Sequence, residues 1–184
     1  ISACLVGSEM CIRDRYETAR NMSDRLAALT VLTHHFAGSA AAETALGAFY
    51  DRFVDDQLVL DKWFMLQASA PDAGTLDKVV ALATHPAFRL ANPNRARALL
   101  AGLAGLNPYV FHRADGAGYR WMADMLGKLD TLNPQTAARM ATAFRSWRSM
   151  EPKRREAAQA ALSELAGRDG LSRDLADILD RTLR

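Results

Sequence analysis

Four histidines (His34, His35, His85 and His112) and two cysteines (Cys4 and Cys11) are the residues most able to hold a metal ion or act as nucleophiles. Their spacing points away from both roles. On a helix the adjacent His34 and His35 project about 100° apart, so they do not form the usual i, i+4 ligand pair. No HExxH stretch occurs, and GxSxG is absent. The six residues between Cys4 and Cys11 fit neither a zinc knuckle nor a redox CxxC. The Asp115-Gly-Ala-Gly-Tyr119 stretch lacks the Lys and Ser/Thr of a phosphate-binding loop and reads as a turn between helices.

Two sets of polar residues remain. Arg145, Arg148, Lys153, Arg154 and Arg155, with Trp147 among them, could grip phosphates and stack on a base. Glu151 and Glu156 interrupt the run and the net charge is only +2, so a solvated surface is the simpler reading. Arg95 and Arg97 sit in the first turn of a helix, where cations oppose the helix dipole. Gln135 and Arg139 are four apart and project from one face of another helix. Residues placed against local preference suggest function, with an ion pair to an acidic neighbour as the plainer explanation.

The elements that must position these residues are helices. The 184 residues include 34 Ala and 24 Leu but only 7 Val and 3 Ile, a composition of helix formers poor in β-branched aliphatics. Asn92-Pro93, Asn107-Pro108 and Asn133-Pro134 predict three helix starts. In each pair the Asn side chain accepts a first-turn N–H, and proline lacks only a donor that would have no partner. Ser23, Asp72 and Ser172 are further expected caps, and other helical segments span about 39–54, 56–68, 119–132 and 152–167. The expectation is an all-α domain of about nine or ten short helices, a multi-helix bundle or a curved helical solenoid. No strict internal sequence repeat is visible. Residues 1–15, ISACLVGSEMCIRDR, show no helical or alternating period and are expected to be a disordered, non-native segment resembling a translated adaptor peptide, with the domain occupying 16–184. No apolar run approaches the ~20 residues that cross a bilayer, and the body is cysteine-free, which suits the cytoplasm.

HPAFRLANPNRARALLAGLAGLNPYVFHRADGAGYRWMADMLGKLDTLNPQTAARM, beginning at His85, resembles the C-terminal helical domain of bacterial aminopeptidase N, the alanyl aminopeptidase type of the gluzincin metallopeptidases. ARNMSDRLAAL and LVLDKWFMLQA before it, and KRREAAQAALSELA and LSRDLADIL after it, match in order. The resemblance implies a fragment of a longer zinc enzyme that releases single residues from peptide N-termini. The zinc-binding HExxH and the GxMEN motif that reads the substrate amine are absent here. No cofactor is therefore expected in this chain, with zinc belonging to the parent, and the expected partners are the parent's catalytic domain and a peptide substrate, not nucleic acid or a membrane. By position in NPNRAR and NPQTAAR, the resemblance implies that Arg97, Gln135 and Arg139 bind the carboxyl-side part of the peptide, without performing chemistry. A free-standing helical protein-interaction module is the competing reading, and RNA binding through residues 145–155 a third.

Overall fold

The structure, a computed structural model, describes residues 2–184, with side chains described from Ser8 onward. Eleven α-helices and two 3-10 turns make up the described residues, with no strand among them. The all-α expectation holds. The first helix, α1 (Ser2–Thr18), covers most of the segment before Tyr16 for which disorder is expected from sequence. Ile12 packs against the core, and the buried Tyr16 donates its hydroxyl to Ala45 O at 3.0 Å. A segment with little amphipathic pattern is thus helical where its C-terminal end meets a neighbour. Leu5, part of the same expectation, lies outside the described side chains.

Then follow α2 (Met22–His35), α3 (Ala40–Phe53), α4 (Gln57–Ala68), α5 (Thr75–Ala83) and α6 (Pro93–Leu106). The one-turn α7 (Pro108–Phe111) leads to α8 (Ala117–Asp130), α9 (Pro134–Ala141), α10 (Pro152–Ala166) and α11 (Arg173–Leu183). All three Asn-Pro pairs start helices: Asn92, Asn107 and Asn133 each accept a first-turn backbone N–H, with proline next. Ser39 and Ser172 cap α3 and α11. Two caps differ from expectation. Asn21, not Ser23, caps α2, and its side chain also bonds Asp24 at 2.8 Å. Asp72 holds Gly74 N in a turn at 2.8 Å, and α5 starts only at Thr75.

Side-chain hydrogen bonds between helices reveal the architecture. Glu43 of α3 meets Lys78 of α5, 35 residues on. Asn107, at the end of α6, reaches Ala68 O at the end of α4, 39 residues back. Arg168, just past α10, meets Asp124 of α8 at a separation of 44, and Ser172 meets Asp130 at 42. These bonds join elements roughly 35–44 residues apart in the chain, as in stacked helical repeats of about 40 residues. The solenoid is therefore real although its sequence repeat is not visible.

The core runs continuously through this stack, with Phe49, Phe64, Phe111 and Phe144 essentially inaccessible to solvent. The Asp115-Gly-Ala-Gly stretch is a helix entry, not a phosphate cradle. Gly116 takes φ +69°, and a Cβ at Gly118 would come within 2.5 Å of Phe111 O.

Candidate functional site

Helix α9 is short, and its buried Ala137 and Ala141 face the core. That orientation leaves Gln135, Ala138 and Arg139 on the outer face. Helix α11 packs beside it through the buried Leu175 and Leu179, which leaves Asp174, Asp177 and Ile178 outward. The start of α11 is anchored by Asp130, a buried carboxylate that accepts hydrogen bonds from Ser172 N (2.7 Å) and Ser172 Oγ (2.5 Å). With Ala137 and Ala141 of α9 and Leu175 and Leu179 of α11 turned inward, an open groove of about 380 Å3 is left between α9 and α11, lined by Gln135, Arg139, Arg145, Asp174, Asp177 and Ile178 among others.

Of the three residues implicated in substrate binding, Gln135 and Arg139 come together in this groove. Arg97 lies on the exposed face of α6, which packs against α9, and its guanidinium bonds only Asn94 Oδ1 at 3.4 Å. It does not line the α9–α11 groove. A larger groove of about 530 Å3 lies between α5, the 88–91 turn and α8, with Trp121, Met125 and Arg89 in its walls.

Arg95 behaves differently from Arg97. Only 1% exposed, it pairs with Asp61 of α4, donates to Ala87 O and to Gln57 Oε1 (2.9 Å), and lies 4.9 Å from the centre of the Phe64 ring. The plainer explanation, an acidic neighbour, therefore accounts for it: the cation ties α4 to α6.

The remaining candidates have structural partners. His34 Nε2 is 3.2 Å from both Leu66 O and Ser69 Oγ, and His112 Nδ1 is 2.8 Å from Tyr119 Oη. His85 Nδ1 accepts from Ala87 N at 3.1 Å. Burial lowers the pKa of all three imidazoles, with Arg154 adding to the effect at His112 and Arg95 at His85. Trp147 is buried and its indole donates to Thr182 O at 2.9 Å, so its ring is not presented for stacking on a base. Among the described residues no three His, Cys, Asp or Glu side chains come together in a way that could hold a metal ion. No described helix is long and apolar enough to cross a membrane.

Fold and grooves together define a helical-repeat domain that presents polar clefts. Residues 5–184 match the family model described as "Domain of unknown function (DUF3458_C) ARM repeats", and the chain belongs to that family. It is similar to aminopeptidase N of Escherichia coli, at 37% identity over 177 residues, covering 96% of this chain but 20% of the relative. Aminopeptidase N of Caulobacter vibrioides matches at 36% over 168 residues, 91% of this chain and 19% of the relative. Among solved structures, Legionella pneumophila aminopeptidase A in complex with aspartic acid superposes with a TM-score of 0.91 at 28% identity, over 97% of this chain and 21% of that one. The chain thus spans about a fifth of the length of these relatives and corresponds to their C-terminal helical part.

Sequence reasoning singled out Arg145 only as part of the basic cluster and missed Asp174, and both line the groove. Asp174 lies in the first turn of α11, where an acid is the ordinary dipole preference, so nothing local distinguishes it.

Proposed function

We propose that this chain, with residues 16–184 as its body, is the C-terminal cap of a zinc-dependent aminopeptidase that releases N-terminal residues from peptides. In this reading the catalytic domain and its zinc lie in the part of the parent outside this chain, and the helical stack encloses the cavity that peptides enter. Zinc would supply a polarised water there; the residues of this chain bind and orient substrate. Gln135 and Arg139 hold the carboxyl-side part of the peptide, and Arg97 contributes from the neighbouring helix. A guanidinium suits the task because it can grip a carboxylate or a peptide carbonyl through two hydrogen bonds. The cysteine-free body supports a cytoplasmic location.

The observation that carries this reading is that Gln135 and Arg139 line one open groove, where the Arg139 side chain forms no ion pair among the described residues. The free-standing interaction module is less favoured, because nearly all of this chain matches one part of much longer enzymes.

The test is kinetic. In the full-length parent, Arg139→Ala lowers kcat/KM for peptides by about tenfold, the loss of one charge-assisted hydrogen bond of about 1–3 kcal/mol. Small aminoacyl amides, which have no carboxyl-side residue, are expected to be nearly unaffected. Equal losses on both substrate types would refute the assignment.

A further inference from the structure

Eleven ion pairs form among the described residues, yet Arg139, Arg145 and Asp174 take part in none. All three line the α9–α11 groove. The α9 side and the turn after it supply its cations, Arg139 and Arg145, and α11 supplies its carboxylates, Asp174 and Asp177. Arg139, Arg145 and Asp174 therefore share one groove without pairing, while Asp177 is paired with Arg181 on its own helix.

The groove also has a direction. Ser172 at the start of α11 is bonded to Asp130, while near its end Thr182 O accepts from Trp147 and Leu183 O accepts from Arg148 at 2.6 Å. Helix α11 thus runs alongside α9 and the following turns in the same sense. Beyond Arg145 lies a smaller cavity of about 240 Å3, lined by Arg145, Arg148, Arg181 and Thr182. Arg148 is fixed there by Leu183 O and by the Trp147 ring, 4.8 Å away, and Arg181 is held by Asp177 at 2.8 Å. One end of the path thus pairs an open carboxylate with an open cation, and the other end is basic.

We infer that the groove selects peptides carrying a basic side chain upstream of a free C-terminal carboxylate. Asp174 receives the ammonium or guanidinium of the ligand, Asp177, itself paired with Arg181, adds negative charge nearby, and Arg145 at the basic end receives the terminal carboxylate. Gln135 and Arg139 contact the backbone between them. Complementary charge of this kind orients a ligand and rejects the wrong one more than it adds raw affinity, so the expected signature is discrimination between peptides. The inference rests on the reading that this groove takes the carboxyl-side part of the substrate.

The test uses the full-length enzyme and two series of alanine hexapeptides, in which a single Lys or Glu is walked from the third to the sixth position, measuring the initial rate of first-residue release. At one or more positions the Lys peptide is expected to exceed its Glu counterpart in kcat/KM by about threefold or more, the scale of exposed charge pairs. Asp174→Asn combined with Asp177→Asn brings that ratio to near one, and Asp174→Glu retains it. Amidation of the C-terminus lowers kcat/KM in wild type and has little effect in Arg145→Ala. No Lys preference at any position, or a preference that survives the double Asn variant, would overturn the inference while leaving the peptide-against-amide effect of Arg139→Ala standing. Loss of that effect as well would remove the underlying reading. Thermal unfolding of each variant confirms that the fold is retained.

Discussion

The ion pair between Arg95 and Asp61 sets the sharpest stability test. Arg95 is almost completely buried and Asp61 is 16% exposed, so Asp61→Ala strands a guanidinium inside the stack with only Ala87 O, Gln57 Oε1 and the face of Phe64 for company. Removing one partner of a buried pair costs about 3–5 kcal/mol, because the remaining charge keeps its desolvation penalty. Water reaching the edge occupied by Asp61 places the loss near the lower end, ~3 kcal/mol. For a domain of this size that corresponds to a fall in Tm of roughly 6–12 °C. Replacing both partners, as Asp61→Leu with Arg95→Met, removes both charges, and the main remaining penalty is Ala87 O without its donor, about 1–3 kcal/mol. The double variant is therefore expected to be more stable than Asp61→Ala alone. Urea unfolding followed by circular dichroism measures all three proteins. A loss below ~1 kcal/mol for Asp61→Ala, or a double variant weaker than the single, would show that the pair is solvated and refute the argument.

Two further outcomes are expected from the same assay. Gly118→Ala should destabilise by about 2–3 kcal/mol, because its methyl would press on backbone at Phe111 O, whereas Gly105→Ala, with nothing within 4 Å, should be neutral or stabilising by up to ~1 kcal/mol; the same sign at both sites would contradict the packing described. Stability should also fall as pH drops below 6.5, the ordinary histidine value, because burial lowers the pKa values of His34, His85 and His112 and the unfolded chain takes up protons first. Their contribution is complete above that value and is lost as pH falls through the folded values. The carboxylates of Asp115, lowered chiefly by Ala117 N–H, and Asp124, lowered chiefly by Lys128, lose theirs only in more acidic solution, below the ordinary 3.8. Urea midpoints equal at pH 7.5 and pH 5, or higher at pH 5, would oppose this assignment.

How far the sequence reveals the molecule depends on how local each cause is. The Asn-Pro caps at 92, 107 and 133 are legible because cap, proline and the N–H they serve lie within four residues, and all three start helices. Arg95 is half legible. Its conflict with the helix dipole marks it as unusual, but its partner lies 34 residues away on α4, and nothing in the chain between them names Asp61. The repeat is illegible for a related reason. Stacking asks for small or apolar residues on inward faces, not for particular letters, and the spacing drifts from 35 between α3 and α5 to 42 and beyond after α8, so no fixed period survives.

The groove carries the same logic into function. Gln135 and Arg139 can be paired from sequence because one helix turn places them on one face. Asp174 cannot, since an acid in the first turn of α11 already has a sufficient local reason to be there. It gains a second role only when Leu175 and Leu179 seat α11 against its neighbours and bring its outer face beside that of α9. Residues placed against local preference are thus the easy half of a site such as this one. The other half consists of residues that satisfy their own helix first and become binding groups only through the stack, and its members are recognised by what the fold leaves unneutralised around them.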